Sequence, residues 1–182
     1  MRRLHLLAIV LVIALLIAVL AFASETSLKK LLPSNTAISG WTAIAETYIY
    51  APTAAAIVDI YDGDDQRYKQ RGVVEAATKT YQKGETSVMQ VFVHRTGTWQ
   101  NAKSLYVHFR DRTPEGATQQ KIVAKNDGYM YSVPGLTQAY GWRGWYFYSC
   151  KTYGNSTADR QAAKAFIKKI AVEADKLVKQ GL

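Results

Sequence analysis

The side chains with the most reactive chemistry in this 182-residue chain are few: one cysteine, three histidines and a dense run of acids. Cys150 would serve as a nucleophile only beside a base that lowers its thiol pKa, and the candidates are His94 and His108. Nothing in their spacing brings them together, and a buried thiol filling space like a small hydrophobe is the simpler reading. The two histidines flank a predicted helix and lack the i, i+4 spacing of a helical zinc pair, so no metal site is assigned to them. His94, at the end of a predicted strand, is expected to face solvent or bond a turn. Asp59, Asp62, Asp64 and Asp65 offer the oxygen ligands calcium favours, but a calcium loop begun at Asp64 sets Lys69 where glycine is required. A charged helix surface, paired with Arg67, Lys69 and Arg71, accounts for these acids instead. No G-x-S-x-G, H-E-x-x-H, phosphate-loop or dinucleotide fingerprint occurs, and no cofactor or catalytic residue is assigned.

Aromatic rings are the other resource. In "GWRGWYFYSCKTYGN", residues 141–155, an extended chain sends Trp145, Phe147 and Ser149 to one face and Tyr146, Tyr148 and Cys150 to the other. Rings on both faces describe either a central strand sandwiched between helices or a surface that grips a ligand. In the second reading Tyr146 and Tyr148 join Tyr129, Tyr131, Tyr140 and Trp142 in a groove that stacks on a glycan or an apolar ligand, because rings supply contact area at small entropy cost. The closing helix is then expected against Trp145 and Phe147.

The elements that must position these residues read as follows. "WTAIAETYIY" has the β-branched and aromatic content of a first strand, and Pro52-Thr53 opens a helix expected over 54–68, with Gly63 inside it as a weak point or close contact. "GVVEAATKTY" and "SVMQVFVH" are strands joined by the turn "QKGE", with Gly84 supplying the positive backbone angle. From Thr98 the period changes: Ala102, Leu105, Tyr106 and Phe109 share one face of a helix that ends before Pro114. After the loop "RDRTPEGATQQ", "KIVAKNDGYMYSVPG" predicts two short strands about Asn126-Asp127-Gly128. The last stretch is an amphipathic helix with Phe166, Ile167, Ile170, Ala171, Ala174 and Leu177 in its apolar stripe. Ser156 or Thr157 caps it, which also accounts for the glycosylation-like "NST" at Asn155. Helices interspersed with hairpins predict an α+β fold with a mainly antiparallel sheet and a long C-terminal amphipathic helix.

The first 23 residues read as an export element: Arg2 and Arg3 precede an apolar run from Leu6 to Ala23 that closes in Ala21-Phe22-Ala23. Residues 1–23 are thus a signal peptide, or an uncleaved signal anchor giving an N-terminal membrane attachment. Residues 24–40 read as a linker, and 41–182 as a single domain. Loss of Arg2 and Arg3 on cleavage would lower the formal net charge of +9 by two and leave the chain basic. In an exported protein that charge points away from nucleic acid and toward an envelope component: a glycan, a lipid surface or a protein. A lone cysteine forms no intrachain disulfide, so side-chain burial must hold the fold.

Asp62-Gly63, Tyr68 with Gly72, Ala102 in its helix and Arg143-Gly144-Trp145-Tyr146 follow one another in this order, with a hairpin between the first pair of motifs and the helix. This succession, over roughly residues 31–175, resembles a family of exported bacterial proteins described only as a domain of unknown function. The resemblance implies export and a fold, and it carries no catalytic residues. The expected function is that of an exported, non-catalytic binding or envelope-associated module. The alternative is an envelope enzyme using acids near Asp62 beside the aromatic groove.

Overall fold

The computed structural model of the chain describes residues 10–13, 25, 27–123 and 127–182. The signal segment, apart from 10–13, and the turn residue Asn126 lie outside the described residues. Among the described residues no helix is long and apolar enough to cross a membrane.

The two strands read around Gly84 form the longest hairpin, β3 (Val73–Lys83) and β4 (Ser87–Thr96), and Gly84 turns it with φ +61°. Two short strands, β1 (Thr42–Ala43) and β2 (Ile49–Ala51), pair with the outer side of β3. Downstream come β5 (Thr118–Val123), β6 (Asp127–Val133), β7 (Leu136–Arg143) and β8 (Tyr146–Thr152), an antiparallel meander whose last strand returns to pair with β4. The result is one eight-stranded antiparallel sheet in the order β1-β3-β4-β8-β7-β6-β5, with β2 beside β3. β4 and β8 lie at its centre, so both are covered on both faces and both are rich in rings and apolar residues.

The fold is α+β as expected, with a helical layer on each side of the sheet. The long C-terminal helix α3 (Thr157–Lys179) starts at a capping box: Ser156 accepts from the Asp159 backbone N–H, and the Asp159 carboxylate accepts from the Ser156 backbone. Its stripe of Phe166, Ile167, Ile170, Ala171, Ala174 and Leu177 buries against Tyr81, Met89, Val91, Val93, Met130, Tyr146, Tyr148 and Cys150 of the sheet. An ion pair from Arg143 to Asp175 (2.6 Å) ties the β7–β8 hairpin to the same helix. On the other face lie α1 (Gln66–Lys69) and α2 (Trp99–Arg110), the latter capped by the Thr98 hydroxyl as it accepts from the Asn101 N–H. Ala102, Leu105 and Tyr106 of α2 meet Tyr129, Tyr131, Tyr140 and Phe147 there.

Four expectations are corrected. The helix read over 54–68 is a 3-10 turn (Ala55–Asp59) and the single turn α1, separated at Gly63, whose φ of +82° no α-helix accepts. Within the segment read as a linker, Leu28, Leu31 and Leu32 are buried in the core beneath α3, and the Tyr81 hydroxyl donates to the Pro33 carbonyl at 2.7 Å. The stretch 136–143, not read as a strand, is β7; its glycine and glutamine interrupt the apolar pattern, yet its backbone pairs on both sides. Finally, the two faces of β8 are exchanged: the helix stripe lies on Tyr146, Tyr148 and Cys150, while Phe147 faces α2. Trp145 belongs to neither row, because it sits in the two-residue turn before β8 and is only partly buried.

Candidate functional site

On the α2 face the sheet carries a cleft of about 350 Å³. Its floor comes from alternate residues of the central strands: Phe92 on β4, Tyr131 on β6, Gln138 and Tyr140 on β7, and Ser149 and Lys151 on β8. Its walls come from the loop before α1 (Tyr61, Asp64), from α1 itself (Arg67, Tyr68), and from the end of α2 (His108, Phe109) with Arg112 beyond it. The break at Gly63 builds one wall: it folds the chain back so that Tyr61 and Tyr68 stack with centroids 4.1 Å apart and planes 16° apart. A continuous helix over 54–68 would have set these rings seven residues apart along one rod, near 10 Å in rise, and they would not touch.

The rings of the cleft form a continuous sequence. Tyr61 stacks on Phe92 at 5.4 Å, and Phe109 stacks on Tyr140 at 5.1 Å and on Phe147 at 5.5 Å. Cations lie over these faces. The Arg67 guanidinium is 5.7 Å from the Phe109 centroid, and the Lys151 ammonium is 5.6 Å from that of Phe92. Arg67 also pairs with Asp64 at 2.5 Å, and Arg112 contacts the His108 ring. Burial first, and then the charges of Arg71, Arg112 and Arg67, hold the His108 pKa below its ordinary value. The cleft thus bears three cations against one carboxylate, with His108 kept neutral at physiological pH.

Beneath the cleft lies His94, fully buried and not at the surface as its position in the sequence implied. The strand end on which it was placed continues under α1 and α2, whose rings cover it: Tyr68 stacks on the imidazole at 5.0 Å. Its Nδ1 lies 3.3 Å from the Phe147 carbonyl, which only accepts, so the proton sits on Nδ1. Nε2 is then the acceptor for the Tyr61 hydroxyl at 2.6 Å. Desolvation pushes the His94 pKa down to about 4, which keeps the ring neutral. Burial likewise raises the phenols of Tyr61 and Tyr140, and takes Tyr68 to about 12, so all three keep their protons.

Of the six rings expected to line a groove, the structure brings Tyr131 and Tyr140 into the cleft. Tyr129 belongs to the same buried cluster and bonds Thr113 at 2.7 Å, and Trp142 packs at the margin of that cluster, stacked on Trp99 at 6.5 Å. Tyr146 and Tyr148 do not join them. They lie under α3 on the opposite face, where the small residues Ala163, Ala171 and Ala174 leave room for phenol rings. Residues not foreseen for the cleft are Tyr61, Tyr68, Phe92, Gln138 and the cations. A signal for the wet face was nonetheless present: Ser149 and Lys151 are the polar residues that alternate with Phe147 in an otherwise aromatic strand.

Among the described residues no group of three or more histidines, cysteines, aspartates or glutamates is placed to hold a metal. Asp65 is buried and paired with Lys69, whose hydrogen bond holds its carboxyl below the usual range. Cys150 is among the residues that line the cleft, yet its thiol donates to the Ala163 carbonyl of α3 at 3.6 Å within the cluster on that side of the sheet, and burial raises its pKa. A thiol reagent should therefore leave Cys150 unmodified in the folded chain and label it once denaturant is added. Rapid labelling under native conditions would overturn this placement.

The chain matches no protein-family model, and comparison with curated proteins returns no significant relative.

Proposed function

We propose that this chain is an exported, single-domain binding module of the bacterial envelope, with the ring-lined cleft as its ligand site. The observation that carries this reading is the cleft itself, in which Arg67 lies over the Phe109 ring, Lys151 over the Phe92 ring, and Arg112 lines the same opening. Rigid rings set by neighbouring strands give contact area without ordering cost, and clustered cations favour a partner of opposite charge. The export segment read in residues 1–23, and the resemblance to exported proteins carried by motifs such as Arg143-Gly144-Trp145-Tyr146, support the location. The partner in this reading is an envelope glycan, lipid surface or protein, with no nucleic acid involved and a retained signal anchor as the alternative to cleavage.

A second reading, an envelope enzyme working with the acids near Asp62, draws on one observation: Asp64 and His108 line the same cleft. Asp64 is held by Arg67 at 2.5 Å, and that pairing favours a role in fixing the guanidinium over one in proton transfer. Fractionation of the producing cell tests the binding reading. The mature protein should begin at Ser24 and stay with isolated wall or membrane material at low salt, while a folded Arg112→Glu/Lys151→Glu variant should wash off. Equal retention of the two proteins, or a cytosolic product, would overturn the proposal.

A further inference from the structure

We infer that the ligand of the cleft is a hydroxyl-rich anion, the chemistry of an acidic sugar; this deepens the binding reading and rests on it. The direction of the buried hydrogen bonds leads there. Tyr131 and Tyr140 both donate to the side-chain oxygen of Gln138, the former at 2.5 Å, and that oxygen has no proton to return. Tyr61 donates to His94 Nε2, because Nδ1 holds its proton against the Phe147 carbonyl. Tyr68 hydrogen-bonds Tyr61 in turn, so two phenol oxygens, those of Tyr131 and Tyr140, meet the cleft with their own protons already committed and acceptor capacity left. A ligand that satisfies them must bring donors, and hydroxyl groups arrayed along a sugar do so.

The charge follows from the rim. Asp64 neutralises Arg67, which leaves Arg112 and Lys151 to meet an anion. The cleft's volume of about 350 Å³ accommodates one or two pyranose rings. A purely apolar acid would fill the same space and satisfy the cations, but it would displace water from the phenol oxygens and give nothing back. A site built to bond hydroxyls discriminates against analogues that lack them.

Titration calorimetry on the purified full-length chain, with defined probes, tests this. Glucuronate and glucose 6-phosphate should each bind at least about tenfold more tightly than glucose, inorganic phosphate or benzoate, one bidentate or charge-assisted interaction amounting to that factor. Preference for glucuronate identifies a carboxylate-bearing sugar, and preference for the phosphate ester identifies a phosphorylated one. Arg112→Met/Lys151→Met should abolish the preference over glucose, and Tyr131→Phe, which removes one acceptor and keeps the ring, should narrow the gap to benzoate. Benzoate binding as tightly as glucuronate, or glucose binding as tightly as either acid, would overturn the inference. Should none of the probes bind while envelope retention still depends on Arg112 and Lys151, the acidic-sugar inference fails and the binding module stands; loss of both results removes both.

Discussion

Phe166→Ala is expected to destabilise the fold by about 3–5 kcal/mol, the range for deleting a fully buried ring whose neighbours relax only in part. Phe166 is wholly buried at the middle of α3, edge-on to Trp41 at 5.6 Å and to Tyr81 at 4.9 Å. These contacts join three parts of the chain: the segment before β1, the long β3 strand and the closing helix. Domains of this size keep a net stability of only ~5–15 kcal/mol, so the variant should unfold at much lower denaturant. Trp145→Ala is the informative contrast, since a ring in the β7–β8 turn that is only partly buried leaves no closed cavity. It should cost about 1–2 kcal/mol, in line with partial loss of apolar burial. Denaturant melts of both variants decide the matter, and a Trp145→Ala loss equal to that of Phe166→Ala would contradict the placement of the turn.

Acidification should weaken the folded state through His94 before carboxylates begin to protonate. Its folded pKa of about 4 lies below the unfolded value of 6.5, so between these two the unfolded chain binds the extra proton. Stability therefore rises with pH across this window, is fully present above the unfolded pKa, and is lost as pH falls toward the folded one. A shift of that size corresponds to roughly 3 kcal/mol. His108, also lowered by burial and by Arg71, Arg112 and Arg67, acts in the same direction. The lowered carboxyls of Asp65, bonded to Lys69, and Asp175, bonded to Lys179 and Arg143, lose their contribution only at lower pH. Urea melts at about pH 7 and about pH 4.5 should show most of the loss in the wild type, little in His94→Phe, and nearly the wild-type slope in His108→Gln. An unchanged slope in His94→Phe would refute the neutral buried imidazole and, with it, the fixed direction of the Tyr61 hydrogen bond.

The sequence by itself determined the elements whose information is local. Alternation on either side of Gly84 sufficed for the β3–β4 hairpin, the Thr98 cap and the Ala102-Leu105-Tyr106 spacing for α2, and Ser156 with Asp159 for the start of α3. From these the α+β class followed. Tertiary structure alone decided which helix covers which face of β8, because alternation sorts Phe147 from Tyr146 and Tyr148 but is symmetric with respect to the layer each row will meet. It also overrode local preference at Gly63, where the stacking of Tyr61 on Tyr68 accompanies the break that a sequence window would read as a weak spot in a helix. Leu28, Leu31 and Leu32 fall at i, i+3 and i+4, the spacing of one helical face, and residues 27–31 are helical, but so short a run was read as tether; only the surface beneath α3 gives it a place to bury. The cleft lies at the far end of this scale. Tyr61 and His94 are 33 residues apart, and His94 and Phe147 are 53 apart, so their hydrogen bonds exist only once the central strands have paired. Ring content was legible in the letters, but whether a given ring is core or cleft depends on which side of a strand meets the gap between two short helices, and that is set by long-range pairing of the whole sheet.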